Sequence, residues 1–353
     1  MLMRGGMTML AAVFHGPRDI RLEEMDEPSP NVDEVLIRVL QAGICGSDLN
    51  RFHYGSHPWP PSFIMGHEFC GEIAAVGSEV TAWQVGQRVV VEPTLYCGVC
   101  FYCQQGYHNR CVDFAMRGIT GSGTNGGFAE YVCVPAYQPH LQPSTLSSAL
   151  GALVEPTAVS VHGWHQAGVS QPDCVVVVGI GNIGLLAVLV AKAKGAKQII
   201  AIGKYAPRQT LAERYGASLV LSPDEPKLQE RILERTDGLG AELVLEAAGA
   251  PSSLRMAVDS ARKGGKIVVL GVFHEEVSLD YRQILMAEKH IMGSIIYQRE
   301  DFAEAMAILA TGMVDVPCHI TSEVPLQDIV SAGFQPLSES KAAYIKIQVR
   351  PQG

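Results

Sequence analysis

CVVVVGIGNIGLLAVLVAKAKG, residues 174–195, runs a four-valine strand into a glycine turn and the turn into an apolar helix. The glycines stand at 179, 181 and 184. The first allows a tight turn, the second a close approach of backbone to a pyrophosphate, and the third close packing of helix on strand. The helix start then offers unpaired amides to phosphate oxygens. Such a motif is weak alone and gains meaning from the strand before it and the helix after it. Gly179, Gly181, Asn182, Ile183 and Gly184 are therefore expected to hold a dinucleotide.

Downstream, strand-like runs alternate with helical periods. QIIAIG, SLVLS, LVLEAAG and KIVVLG are separated by helical stretches around Arg208 to Tyr215, Glu225 to Arg235 and Ser252 to Ala261. This alternation builds a doubly wound parallel sheet with helices on both faces. Leu270, Gly271 and Val272, closing the last of these runs, are further expected cofactor contacts. Upstream, short apolar runs such as Glu34 to Gln41, Glu72 to Val76 and Gln87 to Val91 are cut by Gly and Pro, which reads as a barrel-like all-β unit. After Tyr297 come a short helix, Asp301 to Ala310, and a closing strand, AYIKIQV. The expected organisation is α/β: a dinucleotide-binding sheet at 158–297, inserted between residues 1–157 and 298–353 of a β-barrel-like domain. Residues before Met7 or Met9 are expected to be a tail preceding a displaced start.

The end of the second strand bears on which nicotinamide dinucleotide binds. An acidic residue there grips the ribose 2′-hydroxyl of NAD and repels a 2′-phosphate. This chain has Gly203, followed by Lys204 and Arg208. A small residue with two nearby cations suits a 2′-phosphate, so NADP(H) is favoured over NAD(H). The alternative is that both cations are solvated surface charges.

Four cysteines, Cys97, Cys100, Cys103 and Cys111, crowd into CGVCFYCQQGYHNRC within a lobe at about residues 93–115. Four thiolates at such spacing form a closed tetrahedral cage, the chemistry of a structural zinc. A second constellation is more dispersed: Cys45 in AGICGSD, His67 and Glu68 in GHEFCGEIAAVG, and Glu155 in LVEPTAV. Thiolate, imidazole and carboxylate from separate segments make an open zinc site that leaves one position for water or substrate. Cys70, Cys133, Cys174 and Cys318 read as small buried hydrophobes. His162 and His165, three apart on a helix, read as packing or solvent-facing residues.

With Gly66, His67, Glu68, Gly71, Gly77 and Val80 in place, the chain resembles the zinc-dependent medium-chain dehydrogenase/reductase family, which includes alcohol, sorbitol, threonine and butanediol dehydrogenases. The four-cysteine lobe and the GIGNIG turn are that family's other hallmarks, and the resemblance covers nearly the whole chain. It implies a GroES-like catalytic barrel together with a Rossmann domain. It implies that Cys45, His67 and Glu155 bind a catalytic zinc, with Glu68 binding or approaching it. Glu155 in place of a cysteine, and GSIIYQREDF at 293–302, are similar to the polyol, threonine and butanediol branch. Ser47 resembles the family's hydroxyl relay, and Asp48 is placed to orient His67. Many relatives carry a histidine where this chain has Asn50, so the final proton step is left to water, the cofactor ribose or His53.

The expected activity is zinc-dependent hydride transfer between NADP(H) and a small secondary alcohol or ketone, with a vicinal diol or hydroxyketone among the candidates. The alternatives are an NAD-dependent polyol, sugar-alcohol or amino-alcohol dehydrogenase and, outside enzymes, a metal-stabilised scaffold. Two zinc ions per chain are expected. The family resemblance further implies a homodimer or homotetramer, for which His290 to Tyr297 is the candidate edge, and a substrate pocket that includes the loop from Phe52 to Phe63. A net charge of −9 without a basic stripe argues against nucleic acid, and the longest apolar stretch, Ile183 to Ala191, is too short to span a bilayer. Nine cysteines with no signal peptide point to the reducing cytoplasm.

Overall fold

A computed structural model of the chain describes residues 7–55, 62–313 and 315–352, so both the stretch before Met7 and the middle of the loop from Phe52 to Phe63 lie outside the described residues. Its contacts fall into two compact units, Met1–Glu155 with Ile320–Gly353, and Pro156–His319. The first unit contains β1 (Thr8–Gly16), β2 (Asp19–Asp26), β3 (Glu34–Gly43), β4 (Phe63–Ile64), β5 (Glu68–Val76), β6 (Arg88–Val91), β7 (Ile119–Thr120), β8 (Gly123–Thr124), β9 (Tyr131–Pro135) and β10 (Pro139–Leu141). The second contains β11 (Cys174–Val178), β12 (Gln198–Ile202), β13 (Leu219–Leu221), β14 (Ala241–Glu246), β15 (Ala261–Val269) and β16 (His290–Gly293). The chain then re-enters the first unit with β17 (Ile320–Pro325) and β18 (Lys346–Arg350).

In the first unit the main sheet runs β10-β6-β5-β3-β18-β17, with β9 also paired to β3, and a smaller sheet runs β2-β1-β4. The period of two is plain in β3, where Val35, Ile37 and Val39 are fully buried while Arg38 faces the other way and meets Glu72 at 3.2 Å. Phe14, Phe69, Phe128 and Phe334 fill the same core. β2, DIRLEEMD, is mostly half-exposed or exposed and sits at a sheet edge, where a polar strand is tolerated. Only Ile20 and Leu22 alternate with polar residues before Glu23 and Glu24 break the pattern, and the strand was not anticipated.

The second unit is a six-stranded parallel sheet in the order β13-β12-β11-β14-β15-β16. Every residue of β11 is buried, as a strand covered on both faces requires. The order reverses beside β11, with β12 and β14 as its two neighbours, which is the switch point where nucleotides sit in sheets of this kind.

The second boundary lies at His319/Ile320, not at 297/298 as the sequence pattern suggested. The reason is that helix Arg299–Ala310 is tied into the second unit. Phe302 packs 5.5 Å from the Tyr297 ring, and the Asp301 carboxylate accepts from Nδ1 of His162 at 2.6 Å and of His165 at 2.5 Å. The first boundary also moves slightly, from 157/158 to Glu155/Pro156.

Candidate metal and dinucleotide sites

In the cysteine lobe, one ligand atom from each of Cys97, Cys100, Cys103 and Cys111 lies within 4.8 Å of all the others. The Cys97 and Cys103 sulfurs are 3.9 Å apart, far beyond a disulfide bond. Zinc–sulfur bonds of about 2.3 Å give a tetrahedron with edges of roughly 3.8 Å, so the cage has the size zinc needs. Backbone amides supply the charge balance: the Cys100 amide lies 3.3 Å from Cys97 Sγ and the Cys97 amide 3.4 Å from Cys111 Sγ. The Val112 and Cys103 amides hold the Cys100 thiol down at about 6, and those of Val99 and Cys100 lower Cys97. Burial pushes Cys103 up to about 12.

A second donor group joins Cys45, His67 and Glu68, again with ligand atoms within 4.8 Å of one another. Cys45 precedes helix Gly46–Tyr54, and its amide donates to Asp48 Oδ2 at 3.0 Å, which anchors the helix start. His67 follows Gly66, whose φ of 97° is a left-handed turn open to glycine, and leads into β5 with Glu68. Asp48 is fully buried, with Oδ1 3.6 Å from His67 Nδ1 and 3.8 Å from Arg51 Nη1. Burial opposes its charge, but His67, Arg51 and the Cys45 amide together hold the carboxyl below its ordinary range. Glu68 is fully buried; Oε2 receives the Lys346 ammonium, while Oε1 has no hydrogen-bond partner. A buried carboxylate oxygen left unpaired beside a thiol and an imidazole is what a divalent zinc would satisfy, so this donor set fits that metal.

Not every expected residue joins this group. Glu155 is buried in the first turn of helix Val154–Ala167, with an interaction partner of its own, and is not among the three mutually close donors. Ser47 is solvent-exposed. His53 lies in the last turn of its helix, not in a loop, and meets Ser338 Oγ at 2.9 Å. Two partners escaped sequence reading. Lys346 had one signal, a charge inside the apolar strand AYIKIQV, and Arg51 had none.

In the second unit, Gly179 turns the chain at a φ of 92° and Gly181 precedes helix Asn182–Ala193. A Cβ on Gly184 would lie 1.7 Å from the Gly179 carbonyl oxygen, so helix and turn pack backbone to backbone. A Cβ on Gly203 would fall 2.0 Å from Ile180 Cγ1, which excludes an acidic side chain there without rearrangement. Lys204 pairs with Asp224 at 3.4 Å on the surface, and the Arg208 guanidinium lies over the Tyr205 ring, 5.1 Å from its centroid. Burial lowers the Arg208 pKa from its usual value. The amides of Leu270 and Gly271 reach the Glu246 carbonyl at 2.8 and 3.1 Å, placing them at the carboxyl ends of β14 and β15, with Val272 exposed next to them.

A GroES-like unit bearing two zinc-type donor clusters, joined in one chain to a Rossmann unit, defines a metal-assisted dinucleotide oxidoreductase. Residues 31–144 match the model for the alcohol dehydrogenase GroES-like domain, and residues 182–311 match that for zinc-binding dehydrogenase. The chain is 35% identical to sorbitol dehydrogenase of Bacillus subtilis, over 97% of both chains. It is 34% identical to (R,R)-butanediol dehydrogenase of the same organism, over 97% of this chain and 100% of that one. Its fold matches a protein of Sinorhizobium meliloti described as a zinc-binding dehydrogenase bound to NADP, at a TM-score of 0.90, 32% identity, and coverage of 98% and 100%. The chain belongs to the zinc-type medium-chain alcohol dehydrogenases. It is an oxidoreductase acting on CH–OH groups of small-molecule alcohols, with zinc and a nicotinamide cofactor, and the scaffold reading falls away. No helix of the described residues is long and apolar enough to cross a membrane.

Proposed function

We propose that the chain interconverts a small secondary alcohol, a vicinal diol or hydroxyketone in particular, with its oxidised form, using NADP(H) and a catalytic zinc held by Cys45, His67 and Glu68 with Glu155 as a further ligand. The observation that carries this reading is the close donor group of half-buried Cys45 with buried His67 and Glu68. Zinc bound there would supply Lewis acidity at the substrate oxygen, and the nicotinamide would carry the hydride. The chain's own residues prepare the site. The buried Asp48 carboxylate faces His67 Nδ1 at 3.6 Å, an electrostatic contact that favours Nε2 as the ligand atom. Lys346 occupies Glu68 Oε2 and confines metal binding to Oε1. The exposed Ser47 hydroxyl passes the alcohol proton outward. Asn50 cannot titrate, which leaves the last proton step to water, the cofactor ribose or His53, whose Nε2 meets Ser338 Oγ at 2.9 Å.

NADP(H) is supported by the contact that bars an acidic side chain at Gly203 and by the two cations that follow. A second reading, an NAD-dependent polyol dehydrogenase, draws on the Lys204–Asp224 pair, which offsets one of those cations, and on the likeness to sorbitol dehydrogenase. A second zinc in the four-cysteine lobe, and pairing of two copies along β16, where Ile291 and nearby Ile295 are exposed, complete the proposal. Nine free cysteines suit a cytoplasmic setting.

The test is a panel of secondary alcohols, diols, polyols and matching ketones, followed by nicotinamide absorbance with both cofactors on metal-replete protein. The expected result is highest kcat/KM with a vicinal diol and NADP. Turnover confined to polyols with NAD would replace this reading by the second.

A further inference from the structure

Asn182 opens the helix behind the glycine turn and is half-buried. Its Oδ1 lies 2.8 Å from Nε2 of His319. Nδ1 of the same ring lies 3.0 Å from the hydroxyl of Tyr215. His319 is fully buried and Tyr215 is 2% exposed. A carboxamide oxygen can only accept, so Nε2 carries a proton and donates it to Asn182, while Nδ1 shares a hydrogen bond with the Tyr215 hydroxyl. The three residues come from three places in the second unit: the asparagine within GIGNIG, the residue just after helix Ala206–Arg214, and the end of helix Val316–His319.

A lone asparagine at a phosphate-facing turn is ambiguous, because its amide can rotate to show an acceptor oxygen to an anion. Here the oxygen is already claimed, and Nδ2 makes no hydrogen bond among the described residues. We infer that His319 and Tyr215 are positioning residues that lock the Asn182 carboxamide with its oxygen inward, so that the side chain meets the cofactor pyrophosphate as a donor only. Buried hydrogen-bonded chains of this kind fix rotamers in advance of binding, and an anion then gains a donor without the cost of ordering it. The inference rests on the glycine turn being the dinucleotide site.

Equilibrium binding of NADPH, ADP-ribose and 2′-AMP to the full chain, without alcohol, tests it. His319→Phe should weaken NADPH and ADP-ribose about 3- to 10-fold, the worth of one hydrogen bond, and leave 2′-AMP, which lacks the pyrophosphate, unchanged. His319→Gln, which retains a donor near the Nε2 position, should recover most of the loss. Tyr215→Phe, a smaller change that keeps the core filled, should show the same ligand pattern with a smaller effect. In an Asn182→Ala background, His319→Phe should add nothing. Equal weakening of all three ligands, or additive losses from Asn182→Ala and His319→Phe, would overturn the inference while leaving the dinucleotide site standing. Failure of the unaltered protein to bind NADPH and ADP-ribose would overturn both.

Discussion

The Lys346 ammonium is bonded to the Glu68 carboxylate inside the first unit, and each side chain is 1% exposed. The same ammonium donates to the Ile44 carbonyl at 2.9 Å, one residue before Cys45. Lys346 thus ties β18 to two of the three clustered donors. Removing one partner of a buried pair strands the other charge, which typically costs about 3–5 kcal/mol. Lys346→Met should lower unfolding free energy by that order in urea titrations and reduce zinc content. Lys346→Met with Glu68→Gln should recover much of the stability, since no unpaired charge remains.

The two donor clusters should empty independently. Cys103→Ser should reduce bound metal from about two to about one zinc per chain, with a marked fall in Tm, because structural zinc contributes folding energy directly. His67→Ala should also lose about one zinc, and abolish turnover with a smaller change in Tm. Metal analysis of purified variants distinguishes the cases, and unchanged content in either would contradict its cluster.

Arg208 should discriminate between cofactors. If its guanidinium, lying over Tyr205, meets a 2′-phosphate, Arg208→Ala raises the KM for NADPH about 10- to 100-fold, the range of a charge-assisted hydrogen bond, and barely alters that for NADH. Equal changes for both cofactors would assign Arg208 a structural part only.

Asp301 and His165, whose Nε2 also lies 3.1 Å from Glu304 Oε2, give the second unit a pH-dependent stability. The Asp301 bond raises the His165 pKa above 6.5, burial opposing it, so this contribution is complete below pH 6.5 and is lost as pH rises through the raised value. The Asp301 carboxyl has the opposite sign: burial would raise it, but His162, His165 and the Gln298 amide hold it far below 3.8, so its contribution is lost only in strong acid. Because the His165 side chain is 40% exposed, solvent screening limits its part to about 1 kcal/mol or less. Tm should therefore decline as pH rises above 6.5, and His165→Asn should flatten the decline; parallel profiles for the two proteins would refute the assignment.

The Rossmann unit was legible because its signals are local. Four valines, three spaced glycines and an apolar helix need no distant partner to be read, and the four cysteines declare their geometry through spacing alone. What escaped depends on contacts far apart in the chain. Nothing near Asp301 announces that His162 and His165 will take its carboxylate, so helix Arg299–Ala310 read as part of the barrel domain. β2 keeps its period of two only across Ile20 and Leu22 before acidic residues interrupt it, which is too short to detect. The expected ligand trio was Cys45, His67 and Glu155 with Glu68 binding or approaching, whereas the close group is Cys45, His67 and Glu68, and the lysine that claims one oxygen of Glu68 looked like an ordinary strand residue.

β18 lies between β3 and β17, so the main sheet of the first unit is closed by residues that follow the entire second unit in the chain. During translation the ribosome releases Cys45, His67 and Glu68 early and Lys346 late, while Pro156–His319 emerges as one uninterrupted piece. The nucleotide-binding half can therefore mature first. The nascent barrel must wait for its final staves, the Glu68 carboxylate still lacking a counter-ion.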